Sequence, residues 1–385
     1  MKLVEALFLC VRSSLNGNKL NDEEKILMTD ELLLDVLKMA KQHDIEHLVA
    51  LGILNNELAN EKNKPQLQQV VFRAVYRYEQ LNYDFKNVCE ALENAKIPFL
   101  PLKGSVLRSY YPEPWMRTSC DIDILVPEKY LDVATLCLVE NLKYTKHRKY
   151  SHDVSLFSSN GVHLELHYDL VEDGWANSSS KILKNVWDYA SVKNGKTYWY
   201  ELSDSIFYFY HIAHMAKHFQ QGGCGIRPFI DLWILERLAE TNEAERDDLL
   251  NKGELLQFAR TARKITNVWI NGESMDSVSQ KMENYIINGG VYGNISNRIA
   301  VQQQKKGGST KYVFSKIVIP YDELKFHYPV LQKHRWLLPI MQVRRWFKLV
   351  FCGHAKRSMR ELSYNKNISE SQADEIKVFL DEVGL

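Results

Sequence analysis

The chain has 385 residues, with 49 Lys+Arg against 48 Asp+Glu, 45% hydrophobic residues and 25% charged ones. That balance excludes a disordered chain, and a formal net charge of +1 excludes a global pull toward nucleic acid or an acidic membrane, leaving only local patches for such binding. At roughly 100–200 residues per domain, the length predicts two or three domains.

The apolar run from Leu3 to Val11 is interrupted by Glu5 and closed by Arg12, which does not fit a signal peptide. No stretch approaches the ~18–20 apolar residues that span a bilayer. The six cysteines, Cys10, Cys89, Cys120, Cys137, Cys224 and Cys352, are scattered without close pairing. They read as reduced thiols of a soluble, cytoplasmic protein.

Residues 1–95 read as helical. Asp30 is the expected cap of a helix carrying Leu33, Leu34, Leu37 and Ala40. After Pro65 a longer helix places Val70, Val71, Ala74, Tyr78, Leu81, Phe85, Val88 and Leu92 on one stripe, ending near Ala95. The texture changes in residues 96–202. A short apolar run from Ile97 to Leu102 leads into Lys103-Gly104-Ser105 and a helix from Val106 to Tyr111. Asp121 to Val126 then alternates like a strand, and Pro127 opens a helix buried through Leu131, Ala134 and Leu138. Val154 to Phe157 and Val162 to His167 form a hairpin-like pair. Residues 203–385 return to helix, with segments Ile206 to Phe219, Ile230 to Ala239 and Glu254 to Val268, and with Gly289-Gly290 and Gly307-Gly308 as loop punctuation. The fold class is therefore α+β: a small mixed-sheet domain embedded between N-terminal and C-terminal helical regions.

Asp121 and Asp123 carry the strongest chemical signal. Residues two apart on a strand point to one face, so both carboxylates project together while Ile122 and Ile124 enter the core. Two like charges held this close call for compensation, and a divalent cation with hard oxygen ligands, Mg²⁺ or Mn²⁺, supplies it. The plain alternative is a wet strand face. Gly104-Ser105, at a strand-to-helix junction, lets the backbone approach a phosphate at a helix N-terminus, with Lys103 adding positive charge. Val162, Leu164 and Leu166 alternate with His163, Glu165 and His167. If this strand pairs beside the Asp121 strand, Glu165 joins the same polar face as a third metal ligand or as the base that takes the nucleophile's proton.

The ordered set Leu102-Lys103-Gly104-Ser105, Tyr110-Tyr111-Pro112, Arg117, Asp121 to Val126 and Glu165-Leu166-His167 resembles the uncharacterised nucleotidyltransferase family of the DNA polymerase β-like superfamily. The resemblance continues through His211, His214, His218, Gly222-Gly223, Arg227 and Asp231-Leu232, and into Tyr328-Pro329 and Leu337-Leu338-Pro339. It implies a minimal nucleotidyltransferase fold in which Gly104 and Ser105 hold the nucleotide phosphates, Asp121 and Asp123 match the metal-binding pair, and Glu165 matches the third carboxylate. Two features depart from the superfamily's common pattern: Glu165 stands where Asp is frequent, and the Ser105-to-Asp121 gap is long.

Within that frame Arg117 is assigned to the triphosphate, the alternative being an ion pair with Asp121. Lys217 is a further phosphate candidate. Arg227 either closes over the site or pairs with Asp231. His211, His214 and His218 share one helix face; lining the site or bonding to Asp231 and backbone is favoured over zinc, which wants four ligands. From Lys333 to Arg360 there are eight Lys/Arg, no Asp or Glu, and the aromatics Trp336, Trp346, Phe347 and Phe351. Packing with one basic face is favoured there over polyanion contact.

The expected activity is Mg²⁺-dependent transfer of a nucleoside monophosphate from an NTP, ATP foremost, to an acceptor that is a small molecule, RNA, protein or lipid-linked sugar. The rivals are a metal-dependent glycosyltransferase using Asp-x-Asp, and a non-catalytic nucleotide-binding scaffold.

Overall fold

A computed structural model describes residues 1–172, 177–238, 242–291, 293–351, 363–366 and 368–385. Residues 352–360 of the basic-aromatic stretch, and Ala239 at the expected end of its helix, lie outside the described residues. The chain divides into two compact units, Met1–Met215 with Ile226–Gln280, and Ala216–Gly225 with Lys281–Leu385.

The first unit opens with helices α1 (Leu3–Asn16), α2 (Asp22–Leu27), α3 (Asp30–Gln42), α4 (Glu46–Asn55) and α5 (Lys64–Asn94). The apolar run at the N-terminus is the buried body of α1, which packs against α4. Thr29 rather than Asp30 caps α3, its hydroxyl accepting from Leu32 N at 3.3 Å. Asp30 instead begins the helix, where an acidic residue still favours the dipole. The stripe on α5 is real in its C-terminal half: Leu81, Val88 and Leu92 are buried against the sheet.

The sheet follows: β1 (Leu100–Pro101), the short helix α6 (Gly104–Leu107), β2 (Asp121–Leu125), α7 (Leu131–Leu142), β3 (Thr145–Lys149), β4 (Asp153–Phe157) and β5 (His163–His167). Its order is β1-β2-β5-β4-β3, and only the β2–β5 pairing is parallel. Side chains alternate faces along a strand, so one face of β2, β4 and β5 is apolar. Ile122, Ile124, Val154, Leu156, Leu164 and Leu166 bury there with Leu131, Ala134 and Leu138 of α7 and the apolar stripe of α5. The other face carries the polar residues of β2, β4 and β5.

Helix α8 (Ser178–Lys184) and a two-stranded ribbon, β6 (Ala190–Val192) with β7 (Tyr200–Leu202), lead to α9 (Asp204–Phe219), α10 (Arg227–Glu236), α11 (Glu243–Lys252) and α12 (Leu256–Asn271). The first unit is thus α+β, with helices before and after a small mixed sheet.

The second unit is helical in its described residues: α13 (Ser277–Ile287) runs into it, followed by α14 (Ile295–Lys306), α15 (Ser309–Ile317), α16 (Tyr321–His327), α17 (Val330–Lys333), α18 (Leu338–Phe351) and a final helix, Glu370–Glu382. Gly307 ends α14 in the left-handed conformation, φ 80°. In the described part of the basic-aromatic stretch Trp336, Trp346 and Phe347 are exposed, and Trp346 Nε1 donates to Ile317 O at 2.7 Å.

Candidate active site

The parallel register sets Asp123 directly opposite Glu165, with Asp121 opposite His163 and Leu125 opposite His167. Every polar residue at odd positions of β2 and β5 therefore shares one face, joined by Asp153 and Ser155 of β4, which pair with His167 and Glu165. Two sets of donor atoms lie within 4.8 Å of one another: Asp121, His163 and Glu165, and Asp123, Glu165 and His167.

The two aspartates differ sharply. Asp123 is buried and its Oδ1 accepts from Lys103 Nζ at 2.7 Å and from His167 Nε2 at 2.9 Å. Burial alone would raise its pKa, but the Lys103 charge and the His167 hydrogen bond hold it well below the usual carboxylate range. Asp121 is part-buried and has no such partner among the described residues. Burial, then the charges of Asp123 and Glu165, push its carboxyl up to about 6. His167 Nε2 also lies 3.4 Å from Glu165 Oε2. Burial would lower the pKa of this imidazole, yet the two carboxylates raise it. His167 Nδ1 is buried without a partner among the described residues.

Lys103 sits at the bend between β1 and α6 with φ 44° and ψ −121°. A non-glycine residue held at positive φ costs of order 1–3 kcal/mol and persists only where its surroundings enforce it. The enforcement is visible: Leu102 N donates to Asp123 O, Leu107 N to Lys103 O, and the lysine ammonium reaches Asp123. The N–H groups of Ser105 and Val106 are spent on Leu102 O and Lys103 O. The group left open at the bend is the Ser105 hydroxyl, buried and without a partner among the described residues.

Gly104 has a second reason to be glycine. A Cβ there would lie 2.7 Å from Arg117 Nη1. Arg117 is buried and grips Asp231 of α10 with two bonds, Nε to Oδ1 at 3.1 Å and Nη2 to Oδ2 at 2.9 Å, while Tyr111 Oη donates to Asp231 Oδ1 at 2.7 Å. Its ion pair is therefore with Asp231 and not with Asp121. Arg227 does not pair with Asp231 either: its Nη1 donates to Asp44 Oδ2 at 2.5 Å and to Thr118 O at 3.2 Å. The structure thus brings Lys103, Gly104 and Ser105 to the carboxylates and ties Arg117 and Arg227 into packing around them. Lys217 is buried in the second unit. His211 Nε2 donates to Pro228 O at 2.9 Å, a backbone bond of the kind expected for this helix face.

Sequence reasoning gave no role to several residues that meet at this face. His163 and His167 were legible on it, since they alternate with Leu164 and Leu166 beside Glu165, but nothing local linked them to Asp123 or Ser155. Ser155 is hydrogen-bonded to His163 Nε2 at 2.7 Å. Tyr210 of α9 feels the charges of Lys103, Asp123 and Glu165, while burial raises its phenol pKa. It comes from an element about ninety residues downstream of β2, and no local pattern marks it.

Residues 33–271 match the sequence model of a protein family described as uncharacterised nucleotidyltransferase. No curated protein and no solved structure matches the chain.

Proposed function

The chain belongs to the uncharacterised nucleotidyltransferase family, and from that premise we propose that it moves a nucleoside monophosphate from an NTP, ATP foremost, to an acceptor hydroxyl or phosphate with release of pyrophosphate, in an Mg²⁺-dependent reaction. The observation that carries this reading is the β2–β5 register, which gathers Asp121, Asp123 and Glu165 on one sheet face.

The donor set fits a hard divalent cation: three carboxylates converge, and Lys103 and His167 lie against them as close counter-charges. Asp121, Asp123 and Glu165 would hold the ion, Mg²⁺ or Mn²⁺. Bound there, it supplies charge neutralisation at the triphosphate and acidifies an attacking hydroxyl. The remaining work belongs to side chains. His167 fixes the orientation of Asp123. Glu165 accepts the proton of the acceptor hydroxyl. Lys103 and the Ser105 hydroxyl receive phosphate oxygens at the bend. Burial of Asp123 and His167 keeps bulk water from that side of the site, so catalysis is mainly positioning and charge neutralisation.

The acceptor is a small molecule, an RNA end, a protein side chain or a lipid-linked sugar. No helix among the described residues is long and apolar enough to cross a membrane, and a cytoplasmic site of action accords with that.

The test is to incubate the protein with Mg²⁺, each α-labelled NTP in turn and cell extract, and to identify what becomes labelled. Label transfer is expected from wild type and not from Asp121→Asn/Asp123→Asn protein. Transfer that survives this double substitution would reject the site. Sugar transfer from a nucleotide-sugar would favour the glycosyltransferase rival, and nucleotide binding without turnover the scaffold.

A further inference from the structure

Arg108 follows α6 on the same helical path, three residues after Ser105, and is 6% exposed. Its bonds go to neutral acceptors: Nε to Gly104 O at 2.8 Å and Nη2 to Ser119 Oγ at 2.8 Å. Among the described residues no carboxylate lies within ion-pair distance of it. Arg77 of α5, which is exposed, donates to the same segment, to Ser119 O at 3.3 Å and Cys120 O at 3.1 Å. A buried guanidinium held only by neutral groups is costly, and arginines are rarely buried without an anion. The burial and the neighbouring Arg117 charge pull the Arg108 pKa down to about 10, while the carboxylates of Asp121 and Asp123 oppose this through space. A cation held by those carboxylates would cancel that long-range support and leave Arg108 poorer in negative charge.

We infer that Arg108 is the guanidinium that receives the polyphosphate, filling beside Ser105 the place that the sequence assigned to Arg117. The inference rests on the proposed nucleotidyl transfer. It deepens it by naming an anion of the polyphosphate class as the missing partner of one buried residue. Two structural facts separate Arg108 from a framework arginine. Gly104 O keeps the Arg108 backbone N–H if the side chain is removed, and Ser119 Oγ still donates to Asp121 O at 3.2 Å. Truncation to an apolar chain of similar length therefore orphans neither acceptor.

The experiment compares wild type, Arg108→Met and Arg108→Lys full-length proteins by thermal unfolding and by binding of inorganic tripolyphosphate, with and without Mg²⁺, followed by KM and kcat for the labelled NTP. Wild type is expected to bind tripolyphosphate and to unfold at a higher temperature in its presence. Arg108→Met is expected to unfold, when free, at the wild-type temperature or above, and to bind tripolyphosphate about tenfold or more weakly, with KM for NTP raised in parallel. Arg108→Lys, which keeps the charge but loses the fork, is expected to fall between the two. An Arg108→Met protein that unfolds earlier or fails to fold, or either variant binding tripolyphosphate as tightly as wild type, overturns the inference. Wild type that transfers label without binding tripolyphosphate overturns it too while sparing the transferase reading. Wild type that neither binds nor transfers brings down that reading and the inference together.

Discussion

Asp121 and Asp123 have the same side chain two positions apart, yet their surroundings drive them in opposite directions. Asp123 has Lys103 and His167 on one oxygen; Asp121 has burial and two like charges. In the folded, metal-free protein Asp121 keeps its proton until about pH 6, whereas the unfolded chain releases it near the ordinary value of 3.8. Between these values the folded state binds the extra proton, so unfolding free energy falls as pH rises, and the loss is complete above about 6. Asp121→Asn protein, with no charge to desolvate, is therefore expected to be more stable than wild type in chelator at pH 7.5, by up to about 3 kcal/mol of unfolding free energy, and so to unfold at a higher temperature. The difference should shrink toward zero at pH 4. Thermal unfolding across that range checks it, and a variant less stable than wild type at pH 7.5 would contradict the electrostatic account. Asp231 gives the opposite case. It is fully buried between Arg117 and Tyr111, and Asp231→Asn leaves a buried guanidinium without its anion. A loss of about 3–5 kcal/mol is expected by urea unfolding, unchanged by metal, because removing one partner strands the other.

At the scale of elements, what was legible in the sequence followed from alternation. β2 and β5 alternate apolar and polar residues because one face packs in the core and the other carries the polar cluster, so the carboxylate face could be read from residue order alone. β3 could not: Thr145-Lys146-His147-Arg148-Lys149 is exposed throughout, an edge strand whose charges protect an open edge and leave no periodic trace. The ribbon of β6 and β7 is too short to imprint a pattern. Partners distant in sequence were equally hidden, since Arg117 meets Asp231 through α10 and Arg227 meets Asp44 through α3's end, and neither spacing is local. The bend carries the clearest element-scale consequence. Gly104 is read from sequence as a phosphate contact, but its missing Cβ also makes room for Arg117. Gly104→Ala is expected to cost about 1–3 kcal/mol by forcing the Arg117 fork aside. That cost should largely vanish in an Arg117→Met background, a coupling that a double-mutant cycle in urea measures directly. Equal costs in both backgrounds would mean the glycine is needed for the backbone alone.

For the whole molecule, the proposed metal site ties folding to chemistry. A ligand that binds only the folded state adds RT ln(1 + [L]/Kd), about 2.7 kcal/mol at a hundredfold excess over Kd. Three carboxylates in one site repel in the free protein, with Lys103 and His167 as their close counter-charges, so metal both relieves this repulsion and adds its own binding energy. The unfolding temperature of wild type is therefore expected to climb with the logarithm of Mg²⁺ concentration once Kd is passed, and to fall back when chelator is added. Asp121→Asn/Asp123→Asn protein should give a flat line over the same range, because two of its three ligand oxygens no longer carry charge. Ca²⁺ at matched ionic strength separates a hard-cation site from one that selects Mg²⁺ by size, since Mg²⁺ requires near-octahedral coordination at short distance and Ca²⁺ does not. A wild-type protein indifferent to Mg²⁺, Mn²⁺ and Ca²⁺ alike would leave the acidic face of β2 and β5 as a polar surface held by Lys103 and His167, and the transfer chemistry without its electrostatic engine.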